Sequence, residues 1–245
     1  MTSPAMQRGL YFITPSIGRR VRATEVVDIV KDAIVGGAQI VQWRQKPSKA
    51  DFEALPELRR EWDEQQASGF LLPIARQVRE ITKEHGVPLI INDSFELALE
   101  LDADGVHVGQ TDTNLRDIIA HLGTDKKDFI VGVTVRDGIQ AQAACSHGAT
   151  YLGVGPVFTS STKPEANDGN TIGLQGLKEC VAVASTFEVP VYAIGGLSLT
   201  ERRIQRCIEE GGACGAAVIA AISDAQDRRL AAAEIRMEID RALGL

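Results

Sequence analysis

The chain has 245 residues, 44% of them hydrophobic, enough for one well-filled core, so a single domain over residues 1–245 is expected. Its 26 basic and 33 acidic residues leave a formal net charge of −7, which excludes non-specific binding to nucleic-acid backbones and requires any anion to be held by a few placed cations and amides. The longest apolar runs are strand-sized, which excludes a membrane span, and Met1–Gln7 carries no apolar run that would serve as a signal peptide, so a cytoplasmic protein is expected.

Short apolar runs alternate with amphipathic segments from end to end. Strands are predicted at Leu10–Thr14, Ile40–Arg44, Leu89–Asn92, Gly105–Val108, Ile130–Thr134, Tyr151–Gly155, Val191–Ile194 and Ala216–Ile219. Helices are predicted between and after them at Thr24–Val35, Ala50–His85, Phe95–Leu101, Asn114–Leu122, Ile139–His147, Leu174–Phe187, Thr200–Glu210 and Arg228–Leu243. Strands that read as continuous apolar runs are buried on both faces, and crossovers of this length demand parallel pairing. Eight such units predict an α/β fold, a closed (β/α)8 barrel; a doubly wound open sheet has nearer five or six strands. Gly37-Ala38, Gly86-Val87, Gly148-Ala149 and Gly212-Ala213 each put a glycine where a helix should stop before a strand. The segment from Lys46 to Ile81 is longer than one crossover needs. Gly69 and Pro73, with Pro56 as a further break, predict two helices or an insertion there. Cys145, Cys180, Cys207 and Cys214 form no CxxC pair and no metal-spaced cluster, so buried, reduced thiols are expected.

In such a barrel the active site lies at the C-terminal ends of the strands, so polar residues there carry the interest. Along Ile40–Lys46, period-two alternation turns Val41 and Trp43 to the helices and Gln42 and Arg44 inward. A buried guanidinium needs an anionic partner. That partner is either an acid on a neighbouring strand or a ligand anion, to which Lys46 would add charge; the anion clamp is the preferred reading. The third strand ends Asn92-Asp93, and Ser94 suits the cap of the next helix, which leaves Asp93 for other work. The fourth strand turns His107 inward, as a binding or packing residue, and leads to Asp112. Asp93 and Asp112 follow adjacent strands, and a carboxylate pair of this kind suits Mg2+ shared with substrate phosphates. Asp112 is equally suited to capping the helix near Asn114.

After the sixth strand, Gly153-Val154-Gly155 does not continue as a dinucleotide fingerprint, and no phosphate-binding loop of the nucleotide-triphosphate type occurs. The loop from Phe158 to Gly173 is long for a structureless connection. Its Ser160, Ser161, Thr162 and Lys163 suit phosphate oxygens, or a solvated surface. The turn Gly195-Gly196 and the eighth strand's end at Ile219-Ala220 stand where barrels often bind phosphate through backbone amides. Together these positions ask for small phosphorylated substrates and two anion sites.

At these residues the chain resembles the thiamin phosphate synthase family. The resemblance covers about Leu10 to Ser223. It is carried by Val41-Gln42-Trp43-Arg44-Gln45-Lys46, Ile91-Asn92-Asp93, Asp104 to Asp112, Ser160-Ser161-Thr162-Lys163 and Ala193-Ile194-Gly195-Gly196. Each motif is weak alone; five in order, each after its own strand, are specific. The resemblance implies that a hydroxymethylpyrimidine diphosphate is coupled to a thiazole phosphate by a dissociative substitution with Mg2+. It places Gln42, Arg44, Lys46, Asn92, His107, Thr134 and Lys163 on the pyrimidine diphosphate and Asp93 and Asp112 on the metal. Ser160, Ser161, Thr162, Gly195, Gly196, Ile219 and Ala220 would meet the thiazole phosphate. Arg44, Lys46, Lys163 and Thr134 are the residues expected to carry the chemistry. The resemblance also makes association into homo-oligomers an expectation.

Three positions depart from the family pattern. Thr134 stands for the usual serine after the fifth strand, Arg136 for a frequent histidine, and Ala220 for the serine of the eighth strand. Rival readings are a thiazole tautomerase-like relative and a non-catalytic thiazole phosphate-binding protein. The absent histidine at Arg136 weighs against the first, and the presence of a diphosphate clamp against the second.

Overall fold

The computed structural model describes residues 8–60, 62, 71–110, 114–123, 128–159 and 170–245. Eight parallel strands close into a barrel in simple sequential order: β1 (Gly9–Ile13), β2 (Ile40–Trp43), β3 (Leu89–Asn92), β4 (Gly105–Val108), β5 (Ile130–Val135), β6 (Tyr151–Val154), β7 (Val191–Ile194) and β8 (Gly215–Val218). The last strand pairs with the first, Leu10 opposite Ala216 and Phe12 opposite Val218. The expected (β/α)8 barrel is therefore the fold.

Alternation decides what each strand presents. Leu10 and Phe12 of β1, Val41 and Trp43 of β2, and Val106 and Val108 of β4 join the large core between barrel and helices. The intervening positions, among them Tyr11, Ile13, Ile40, Ile90, Ile130, Tyr151 and Tyr192, fill the barrel interior. Three tyrosines are large for that space, and inward-facing glycines make room. A Cβ at Gly132 would come within 2.1 Å of Tyr151 Cζ, and one at Gly215 within 2.8 Å of the Tyr192 ring. Alternating large and small residues is how a small barrel fills without strain.

The outer layer follows the expected periodicity. It comprises α1 (Ala23–Val35), α2 (Lys49–Ala54), α3 (Leu72–Glu84), α4 (Phe95–Glu100), α5 (Leu115–Leu122), α6 (Gly138–Ser146), α7 (Gly173–Ser185), α8 (Arg203–Glu209), α9 (Ala220–Ser223) and α10 (Arg228–Leu243). In α1, Val26, Ile29, Val30, Ala33 and Ile34 are buried, one stripe at helical spacing. Gly37, Gly86, Gly148 and Gly212 all have positive φ, as their helix-ending role requires. The four cysteines are free thiols, three of them buried and Cys214 partly so. Among the described residues no helix is long and apolar enough to cross a membrane.

One expected break, one predicted helix and one unpredicted helix stand out. The break expected within Ala50–His85 is present: α2 ends at Ala54, residues 56–60 are again helical, and α3 starts at Leu72 with Pro73 in its first turn. The Thr200–Glu210 helix begins as a 3-10 turn, with Glu201 and Arg202 at positive φ, and becomes α-helical only from Arg203. After β8 comes the short α9, which no predicted helix covered. Pattern reading misses so short a helix because four residues hold barely one period.

Candidate active site

The site is built where β1, β2 and β3 end. Gln42 and Arg44 point inward as alternation requires and are 2% and 8% exposed. The β2 exit is pinned from β1: Thr14, fully buried, hydrogen-bonds the Arg44 backbone, and Ser16 Oγ accepts from the Lys46 N–H at 2.9 Å. Gln45 adds two more ties, accepting from the Ile17 N–H and donating to the Pro15 carbonyl. Sequence reading passed over Thr14, Ser16 and Gln45; their only signal was a cluster of polar residues at two adjacent strand ends.

Asp93 follows β3 with a φ of +64°, its N–H donating to the His107 carbonyl at 2.8 Å. Ser94 caps α4 by accepting from the Leu97 N–H, so the Asp93 carboxylate is not used as a cap. It forms an ion pair with Lys46. Burial lowers the proton affinity of the Arg44 guanidinium and the nearby Asp93 charge raises it. The two readings of Arg44 are thus combined: the neighbouring acid exists, and it belongs to the same cluster as the cations that would clamp an anion. At the next strand Asn114 caps α5 through its own side chain, accepting from the Arg116 N–H, so that helix does not need Asp112 as its cap. Asp112 itself lies outside the described residues, as do Ser160, Ser161, Thr162 and Lys163.

A continuous row of hydrogen bonds crosses the barrel under this cluster. Gln42 Nε2 donates to the Tyr11 hydroxyl at 2.7 Å, and the Tyr11 and Tyr151 hydroxyls meet at 2.7 Å. Tyr151 meets His107 Nδ1 at 2.8 Å, and His107 Nε2 meets Thr134 Oγ1 at 2.7 Å. Burial pushes the Tyr11 and Tyr151 phenols well up, so both stay protonated. His107 is therefore part of a buried polar network, and its inward direction was legible while its partners were not. Gly153 leaves room for it, since a Cβ there would lie 3.0 Å from the imidazole.

The far wall is formed by β6, β7 and β8. Gly195 and Gly196 have φ of +96° and +64°, and Cβ atoms there would collide with Pro156 and with the Thr159 carbonyl. Val157 and Phe158 donate backbone hydrogen bonds to the Ile194 and Gly195 carbonyls, which locks the β6 exit onto this turn. Ile219 and Ala220 open α9, whose first N–H groups have no partner within the helix. Arg203, which sequence reading did not single out, lines the same wall. It donates to the Gly196 carbonyl at 3.1 Å and lies over the Phe158 ring. Arg136 does not line the cavity; it donates to the Asn170 carbonyl.

These walls enclose a cavity of about 690 Å³, a volume typical of sites for small organic ligands. Gln42, Arg44, Lys46, Asn92, Asp93, His107 and Thr134 line one side and Gly195, Gly196, Ile219 and Ala220 the other. Every expected site residue that is described faces this one space. Among the described residues no cluster of three or more His, Cys, Asp or Glu forms a metal site. A magnesium ion completed by substrate oxygens needs only one or two carboxylates, and Asp93 at the cavity edge fits that donor set.

The sequence pattern of the thiamine monophosphate synthase family matches residues 10–224. A thiamine-phosphate synthase of Geobacillus thermodenitrificans is 35% identical over 245 residues, covering 99% of this chain and 97% of that one. One from Roseiflexus is 38% identical over 235 residues, covering 96% and 86%. Among solved structures, the thiamine phosphate pyrophosphorylase of Pyrococcus furiosus superposes with a TM-score of 0.71 at 29% identity, covering 97% of this chain and 98% of that one.

Proposed function

The chain belongs to the thiamine monophosphate synthase family, and from that premise we propose that it is a transferase that makes thiamine phosphate. Its substrates in this reading are 4-amino-5-hydroxymethyl-2-methylpyrimidine diphosphate and a thiazole phosphate. The observation that carries it is the pairing, across one cavity, of the Arg44–Lys46–Asp93 charge cluster with the Gly195-Gly196 turn and the opening of α9.

The reaction breaks the bond from the pyrimidinylmethyl carbon to the diphosphate oxygen, and the electron pair leaves with diphosphate. The thiazole nitrogen then supplies the pair for the new carbon–nitrogen bond, and its ring becomes cationic. No group has to gain or lose a proton, which suits a cavity whose strongest features are charge and backbone amides. Arg44 and Lys46 bind and neutralise the departing diphosphate, with Lys163 assigned to the same task. Asp93 and Asp112 would hold Mg2+, which neutralises leaving-group charge without proton transfer. Gln42, Asn92 and Thr134 orient the pyrimidine, and the Gly195-Gly196 turn and Ala220 amides hold the thiazole phosphate, aided by Ser160, Ser161 and Thr162. Fixing both partners in one dry cavity supplies orientation and excludes water from the reactive carbon. A cytoplasmic setting, in which the thiols stay reduced, and association into a homo-oligomer belong to the same reading.

The test is synthesis from the two substrates with and without Mg2+, the product being oxidised to fluorescent thiochrome. Magnesium-dependent product that disappears in Asp93→Ala is expected. Absence of product with every divalent cation, while thiazole phosphate still binds, would overturn the synthase reading in favour of a tautomerase-like or non-catalytic binding protein.

A further inference from the structure

Hydroxyl groups carry one proton each, and this makes the row from Gln42 to Thr134 directional. Tyr11 accepts from Gln42, and among the described residues Tyr151 is the one acceptor its hydroxyl meets. The Tyr11 proton therefore points to Tyr151. The Tyr151 oxygen, already accepting, must place its own proton on His107 Nδ1. Nδ1 is then an acceptor, and the proton of the neutral imidazole resides on Nε2, donating to Thr134 Oγ1. The Thr134 hydroxyl, accepting from His107, keeps its own proton for the cavity that it lines.

We infer that Tyr11 and Tyr151 are positioning residues: they set the Nε2–H tautomer of His107 and thereby turn the Thr134 hydroxyl into a donor aimed at the bound pyrimidine. Neither tyrosine carries a charge in this role, since burial keeps both phenols protonated. The assignment of a pyrimidine as the acceptor rests on the synthase reading; the tautomer does not.

The test is a long-range 15N–1H correlation spectrum of the full chain with labelled histidine, His107 being assigned by the signal lost in His107→Asn. A neutral Nε2–H pattern for His107 at neutral pH is expected. In Tyr151→Phe the bond to Nδ1 is gone, and a mixture of tautomers is expected, with kcat for synthesis lower by roughly tenfold, the worth of one hydrogen bond. Tyr11→Phe, one bond further from the imidazole, should give the same change in smaller degree and guards against misfolding of the first variant. An Nδ1–H or imidazolium pattern in the unmodified protein overturns the inference. So does an unchanged Nε2–H pattern in folded Tyr151→Phe. If the chain makes no thiamine phosphate, the spectrum still decides the tautomer, so the two readings fail separately.

Discussion

Thr14 and Arg44 hold each other twice: the Arg44 N–H donates to Thr14 Oγ1 at 2.8 Å, and the hydroxyl donates onward to the Arg44 carbonyl at 3.1 Å. The pair sits where β1 and β2 leave the barrel, so it sets where the Arg44 guanidinium enters the cavity. Thr14→Val keeps the shape and removes both bonds, stranding a buried N–H. We expect a loss of about 1–3 kcal/mol in denaturant unfolding, with a several-fold fall in kcat/KM.

Arg44 itself should show the opposite balance. Its guanidinium is buried, and burial disfavours its charge. Arg44→Met removes that penalty while Lys46 still pairs with Asp93. Thermal stability should hold or rise, while binding of the pyrimidine diphosphate, read by calorimetry, weakens by roughly 10- to 100-fold, as loss of charged hydrogen bonds predicts.

Gly132 opposes the Tyr151 ring so closely that a methyl group has no space, at 2.1 Å from Cζ. Gly132→Ala should cost about 1–3 kcal/mol or more by overpacking and displace the phenol from His107. A variant as stable and as active as the parent would show that Tyr151 can move at no cost.

Arg203 bridges the exits of β6 and β7, through the Phe158 ring and the Gly196 carbonyl. Arg203→Met should raise KM for the thiazole phosphate several-fold and leave binding of the pyrimidine diphosphate unchanged, in initial-rate and calorimetric measurements.

Asp51 ties α2 to the loop after β1. Partial burial pushes its carboxyl up, but hydrogen bonds from the Ser48 hydroxyl, the backbone N–H groups of Arg19 and Ser48, and the Arg19 side chain outweigh this and hold it low. A carboxyl held low in the folded state stabilises when ionised, above its unfolded pKa of about 4, and that contribution is lost as pH falls through the folded value. Asp51→Asn should therefore be less stable than the parent at neutral pH, and the two unfolding midpoints should converge in acid.

The barrel was legible because its signals are local and repeated. Eight apolar runs with alternating faces, each after a glycine-ended helix or a turn, leave few ways to bury both sides of a parallel sheet. The inward set on β2 was legible for the same reason, since a period of two puts Gln42 and Arg44 opposite Val41 and Trp43 whatever surrounds them. Kinks and short turns were less legible. The left-handed Leu71, Glu201 and Arg202 interrupt predicted helices at residues with no such preference, and only tertiary packing selects those angles.

The sequence by itself therefore determined the fold and which strand ends line the candidate site, because hydrophobic periodicity and turn residues act over a few positions. Tertiary structure alone decided what each polar residue does there. Tyr151, which meets both Tyr11 and His107, lies 140 residues from the first and 44 from the second along the chain. Arg44 depends in the same way on Thr14, 30 residues before it. Hydrogen bonds act only at contact distance, and closing the barrel is what creates those contacts.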